Sequence, residues 1–537
     1  MRTNALKYRF HLLISFSFIL FFSIILSFTS ACRSPQKIDL RGFAPNDAIV
    51  YLETDDLSKI LNALTENKSF QELNKNKIDF STLKNVQVAA VVTGFETSEK
   101  QVTDENSILN FQPHFVAIAE THAWQWQTLS LVENQINDFI RETYGDDAKL
   151  EASDKNDGKW FVWTAKDGRK VFAFVQNSRI YFGNDDTAIE KCLAVRRGEI
   201  ESLLKNENLS RAFLSKPENN LAFGYISPEG VAQIANLAGV SVAVEATESG
   251  DGRSFIARVL PQILRNTTKE IVWTAQKTEQ GIEDKFFVSL TTEVSSVVKE
   301  TLASPAESKT NAPEFLPDDT FSATRYSLKN PLIAWRSLLL VTAKNTDAVS
   351  GKLLIQFSDS LLEPYGISDA ETFLSAIESD ILTAQFDPEG EKSVFIVTVK
   401  DVEKLQKSIA DINFKSLPEK QENAEIRQSQ DKTLAAAFVE NKLILGDTES
   451  VLKCLQTRQN GQNFKDFPVS SAVSVTFAKD IDSAEKIVSV LGTPIENKKI
   501  VTSYLTETRF TEKGIERKTV SDFGLLGTIL KSLNDKN

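Results

Sequence analysis

Residues able to do chemistry are few in this chain, and their spacing limits what each could do. Its three histidines are His11, His114 and His122. His114 and His122 flank the apolar run 115–119, and opposite ends of one extended strand lie too far apart to share a metal ion. The segment Asp154-Lys155-Asn156-Asp157-Gly158 resembles the start of a calcium loop. Its Gly comes one place early, however, and the twelfth position is Ala165 where a bidentate Glu is needed, so it reads as a turn. Cys192 and Cys454 each share a helical face with apolar residues, the usual setting of a small buried hydrophobe. The chain has no Gly-x-Ser-x-Gly elbow, phosphate-binding glycine loop or His-Glu-x-x-His. No catalytic, cofactor-binding or metal-ligating residue is therefore expected. Trp124, Trp126, Trp160 and Trp163 cluster in sequence. The odd step from Trp160 to Trp163 places them on opposite strand faces, which would let one stack on a sugar or peptide.

Cys32 is different. Arg2, Lys7 and Arg9 precede an uncharged apolar run over 12–28, which closes on Thr29-Ser30-Ala31-Cys32 and then Arg33-Ser34-Pro35. A basic start, an apolar centre and small residues at a cut site make an export signal. Small residues directly before a cysteine resemble the lipobox of bacterial lipoproteins, which implies that Cys32 is acylated and becomes the mature N-terminus. Thr29 stands where the usual lipobox has an aliphatic residue. The run also reaches the lower limit for a bilayer span, about 17 residues. An uncleaved signal anchor and an ordinary cleaved signal are the alternatives. All three place the body outside the cytoplasm. With Arg33 and Ser34, and no Asp, directly after the cysteine, the outer membrane, facing the periplasm, is the expected address.

The rest of the chain is large and acidic. Its 537 residues include 41% hydrophobic positions and 35 Phe, ample for more than one core, and its net charge is −12. Residues 1–31 carry no acidic group, so the body beyond them is more acidic still. Nucleic-acid binding needs clustered Lys and Arg and is not expected. An anchor, and not surface charge, must hold such a body at an anionic membrane.

Three pairs of segments recur in the same order. Pro45-Asn46-Asp47-Ala48 matches Pro317-Asp318-Asp319-Thr320, each leading into a strand-like run. Ala173-Phe174-Val175-Gln176-Asn177, Ile180-Tyr181-Phe182-Gly183 and Lys191-Cys192-Leu193 are echoed by Ala437-Phe438-Val439-Glu440-Asn441, Leu443-Ile444-Leu445-Gly446 and Lys453-Cys454-Leu455. Thr278-Glu279-Gln280-Gly281-Ile282 returns as Thr511-Glu512-Lys513-Gly514-Ile515. A repeat at this spacing predicts two copies of one unit, the first with an insertion near 240–268. Within the first copy, strands are expected over 48–53, 86–92 and 115–119, and helices over 56–65 and 126–144. A meander over 160–164, 171–175 and 179–182 follows, turned by Asp157-Gly158 and Asp167-Gly168. Asn184-Asp185-Asp186-Thr187 then caps a helix running through Ala194. Hairpins without sustained strand–helix–strand spacing argue against a doubly wound parallel sheet.

These motifs resemble those of an uncharacterised family of exported bacterial proteins, a domain of unknown function. It has a Pro-x-Asp-Ala start before a Tyr-Leu-Glu strand, here Pro45–Ala48 and Tyr51-Leu52-Glu53. It also has a Gly-Asp/Asn step into a helix, here Gly183-Asn184 and Gly446-Asp447. The family has no known activity, so the resemblance implies none. The expected fold is α+β: two tandem copies of a related domain with mostly antiparallel sheets and packed helices. They follow a signal peptide (1–31) and a tether (32–43), as domains 44–302 and 314–537 joined by a linker (303–313). The expected function is a membrane-anchored envelope lipoprotein with a binding, scaffolding or accessory role, lipidated at Cys32. Its partners would be the membrane and an envelope protein or glycan. The alternatives are a periplasmic glycan- or peptide-binding protein and a hydrolase with a dispersed active site, since triads are spatial.

Overall fold

Strands such as 158–164, apolar on both faces, require cover on both sides, and the folded chain supplies it. The computed structural model describes residues 36–537 apart from 102–106, 156, 247–258, 260, 305–311, 360–361, 363–365, 410–414, 417–423, 430–431, 462–463, 465–466, 469, 496–497 and 535–537. Among the described residues, the first ten strands are β1 (Val50–Thr54), β2 (Gln87–Gln101), β3 (Ser107–Glu120), β4 (Lys149–Lys155), β5 (Gly158–Thr164), β6 (Lys170–Gln176), β7 (Arg179–Gly183), β8 (Asn220–Ile226), β9 (Thr268–Thr278) and β10 (Gly281–Leu290). The next ten are β11 (Ser322–Ser327), β12 (Ile377–Gln385), β13 (Ser393–Val399), β14 (Lys415–Ser416), β15 (Ala424–Gln428), β16 (Leu434–Val439), β17 (Lys442–Asp447), β18 (Ser474–Asp480), β19 (Thr502–Thr511) and β20 (Gly514–Ser521).

All twenty belong to one antiparallel sheet. Its first half runs β4-β5-β6-β7-β3-β2-β1-β8-β9-β10. Strand β10 then pairs with β20, and the second half continues β20-β19-β18-β11-β12-β13-β17-β16-β15-β14. The expectation of a separate sheet for each half is therefore corrected. Strands β10 and β20 would each be an unpaired edge, and pairing them satisfies both backbones. The register is reciprocal: Ile282 faces Ser521, while Val288 faces Ile515. The turns beside this seam also match. Thr278 Oγ1 donates to the Gly281 carbonyl at 3.1 Å, as Thr511 Oγ1 does to that of Gly514 at 3.1 Å.

Helices cover both faces. On one face of the first half lie the helix Leu57–Thr65 and the helical stretch 125–144. They are joined by Ser483–Leu491 and Gly524–Asn534 from the end of the chain. The other face carries Asp186–Arg197 and Glu207–Leu214. In the second half, Thr448–Asn460 covers one face, and Ala370–Ser375 with Val402–Ser408 covers the other. Trp160 and Trp163 do face opposite sides, but both are buried, so neither is free to stack on a ligand.

Asp284 is buried at the seam. Its carboxylate accepts the Trp273 indole N–H at 2.8 Å and the Leu525 amide at 2.7 Å, so it ties β10 to the C-terminal helix. Burial pushes its carboxyl up from 3.8 to about 6, against the pull of those two donors. Below about pH 4 both folded and unfolded forms hold this proton, and above about pH 6 neither does. A raised carboxyl therefore lowers stability as pH climbs through that window. Asp284→Asn should gain roughly 3 kcal/mol on the wild type between pH 3.5 and 7, on top of a constant loss from the amide donor now facing Leu525. Thermal unfolding of both proteins across that range checks this, and a pH-independent difference would refute it.

Candidate functional site

Strands β1, β2, β3 and β7 lie side by side, and their parity gathers polar residues at one end. Tyr51, Ala89, Ile118 and Tyr181 share one apolar cluster. Two residues further along each strand stand Glu53, Gln87, Glu120 and Arg179, which therefore point to the same face. The segment 37–43 is fastened against this row. Gln87 accepts the Ile38 amide on Oε1 at 2.9 Å and donates from Nε2 to the Ile38 carbonyl at 2.8 Å. His122 Nε2 lies 3.2 Å from the same Oε1, which requires the ring proton on Nε2. Burial holds the imidazole below its usual range, so the ring is neutral at pH 7.

Glu120 accepts the Arg179 guanidinium at 2.9 Å on one oxygen and the His122 amide at 3.1 Å on the other. Arg179 in turn stacks on Phe43, 4.1 Å from the ring centre. At the next strand Glu53 accepts Lys216 Nζ at 2.9 Å and the Tyr51 hydroxyl at 2.7 Å. Burial raises the Glu53 carboxyl above its ordinary range, and the Lys216 charge opposes this. Lys216 lies 3.5 Å from Asp55, which accepts Lys37 Nζ at 3.0 Å. Each carboxylate thus has a cation or an amide, and the row fixes the place where the chain enters the body.

The second half has a polar row at the corresponding strands with different chemistry. Arg325, Asp380, Thr398 and Lys442 stand on β11, β12, β13 and β17, two residues from Ala323, Leu382, Ile396 and Ile444 of one cluster. Lys442 Nζ donates to Thr398 Oγ1 at 2.6 Å, and Arg325 Nη2 donates to the Ser470 carbonyl at 2.7 Å. Burial lowers the Lys442 ammonium below its usual range.

Cys32 lies outside the described residues, as do 247–258 and 260 of the insertion expected near 240–268. His114 lies midway along β3, and His122 stands two residues past its end. His114 Nδ1 meets the Asp185 carboxylate, while His122 joins the row above. Among the described residues no three His, Cys, Asp or Glu side chains gather to hold a metal. The turn at Asp157-Gly158 joins β4 to β5, and Asp157 takes a positive φ of 61°. Cys192 and Cys454 are free thiols, fully buried in separate clusters. Burial pushes Cys192 up to about 12 and Cys454 higher still, so neither forms a thiolate at neutral pH. Both should resist a disulfide reagent in the native protein for hours and react within minutes in denaturant. Native labelling of either would refute that packing.

Sequence reading missed Glu53, Gln87, Arg179 and Lys216 as a group. The signal was present as parity, because Glu53 and Arg179 each stand two residues from a buried tyrosine. No helix among the described residues is long and apolar enough to cross a membrane. No protein-family model matches the chain, and neither a curated protein nor a solved structure matches it.

Proposed function

We propose that the protein is an exported lipoprotein held at a bacterial membrane by acyl chains on Cys32. Its body serves as a binding or scaffolding module and not as an enzyme. The observation that carries this reading is the order of residues 2–32: basic start, apolar run, small residues, cysteine. The fastening of Ile38 to Gln87 supports it, since the short stretch 33–37 would then join the lipid to a rigid body. Envelope proteins or glycans are the partner classes we assign, and the periplasmic face of the outer membrane is the proposed location. Mass spectrometry of membrane-extracted protein should show loss of residues 1–31 and added acyl chains. Cys32→Ala should release the body or leave an unprocessed precursor. A mature protein that retains Met1 would favour a signal anchor and overturn lipidation.

The body, in this reading, is two copies of one domain, 44–302 and 314–537, meeting at equivalent strands. The matching strand order and reciprocal seam register support it. So does the Lys191–Asp47 ion pair at 2.6 Å, repeated by Lys453–Asp319 at 2.6 Å. Gly183 and Gly446 support it as well. A Cβ on either would lie 2.3 or 2.2 Å from the carbonyl of Phe115 or Ser393 on the neighbouring strand. The uncharacterised exported family would then share the unit through its start and its Gly-Asp/Asn step.

A further inference from the structure

Among the large apolar side chains exposed on the body, Leu214, Trp124 and Trp126 are 85%, 70% and 68% exposed. All three surround the point where the N-terminal segment meets the sheet. Ile38 is bonded to Gln87, Gln87 contacts the His122 ring, and Trp124 follows two residues later, within ~7 Å along the chain. On the other side Lys37 binds Asp55, Asp55 lies 3.5 Å from Lys216, and Leu214 precedes Lys216 by two residues. The exit is flanked on both sides by apolar groups that cover nothing on the body.

The geometry points to this end of the sheet as a bilayer-docking face, with Trp124, Trp126 and Leu214 entering the headgroup–acyl boundary. The argument rests on the tether reading of residues 1–32 and adds the orientation of the body. Five residues, six Cα steps, separate Cys32 from Ile38, so the lipid attachment lies at most ~20 Å from Ile38. Twenty strands at ~4.8 Å spacing span roughly 90 Å. A tether that short lets only the end around Ile38 approach the membrane. Tryptophan suits that depth, because its ring is apolar and its N–H is satisfied by headgroups or water. Lys37 and Lys216 are paired with Asp55 and Glu53, so the patch carries little net charge. It therefore fits a zwitterionic surface, and a single lipid anchor gains from such a second contact.

Full-length protein reconstituted into phosphatidylcholine vesicles with brominated acyl chains tests this through tryptophan emission. The wild type should be quenched. Trp124→Phe combined with Trp126→Phe should cut that quenching at least threefold, with folding unchanged because both side chains are exposed. Leu214→Asp, which leaves the tryptophans in place, should reduce quenching at least twofold. Emission quenched by aqueous acrylamide but not by brominated lipid would overturn the proposal, and would instead suit a face kept for a protein partner. Mass spectrometry on the same preparation reports acylation of Cys32. An unacylated but quenched protein would reject the lipidation reading alone, and an acylated but unquenched one the docking face alone.

Discussion

Arg179→Ala should destabilise the folded protein by about 3–5 kcal/mol, the cost of leaving a buried carboxylate without its cation. Glu120 has no exposed side-chain surface, and its bond to Arg179 is the charged contact that offsets its desolvation. The His122 amide on the other oxygen cannot replace a full charge. The same substitution removes the guanidinium stacked on Phe43, which should loosen the segment 37–43. Denaturant or thermal unfolding would measure the loss. Combining Arg179→Met with Glu120→Leu should recover most of it, because replacing both partners by apolar groups removes the buried charge altogether. A single substitution costing under about 1 kcal/mol would show that the pair is solvated and that the row does not fasten the N-terminal segment.

Gly514→Ala should be nearly as damaging, for a steric reason. Gly514 has φ +154°, and a Cβ there would sit 1.9 Å from the Val288 carbonyl oxygen on β10. That oxygen is backbone in a paired strand and cannot swing away. Gly281 is placed reciprocally, with φ +126° and a Cβ position 2.3 Å from the Ser521 carbonyl. Each glycine lets its own hairpin close against the end of the other. Strain and lost pairing together should cost several kcal/mol, and the double substitution should be worse than either alone. Amide exchange would localise the damage to β10 and β20. Faster exchange throughout both halves would mean that the seam supports the whole fold.

The meander β5–β7 and the capped helix Asp186–Arg197 were legible in the sequence. Each carries a local signature: Asp-Gly turns between apolar runs in the meander, and an Asp185 side chain that accepts the Thr187 amide in the helix. The strands at 86–92 and 115–119 were placed but cut short: β2 runs on through the polar residues 96–101, and β3 begins before Pro113, a residue that ordinarily marks a strand's limit. Strand β4 was not seen, because its seven residues are all exposed and it is held by backbone pairing to β5. The seam was beyond reach for a similar reason. A strand's own residues state which faces are apolar, but not which distant strand its edge will meet. The polar row had only parity to betray it, and its partners Arg179 and Lys216 come from remote parts of the chain. Exposure of Trp124 and Trp126, against burial of Trp160 and Trp163, follows from where the helices pack on the sheet, which the local sequence does not state.

A continuous ribbon of paired strands is also a template on which another chain could crystallise its own backbone. Here the β4 end of the ribbon is guarded by charge. At one end β4 presents Lys149, Glu151, Asp154 and Lys155 to solvent, so an incoming strand would have to strip water from charges of both signs. At the other end, among the described residues, β14 pairs with β15 over Lys415–Ser416. Copies of this protein crowded side by side would therefore meet at their β4 edges without fusing their sheets there.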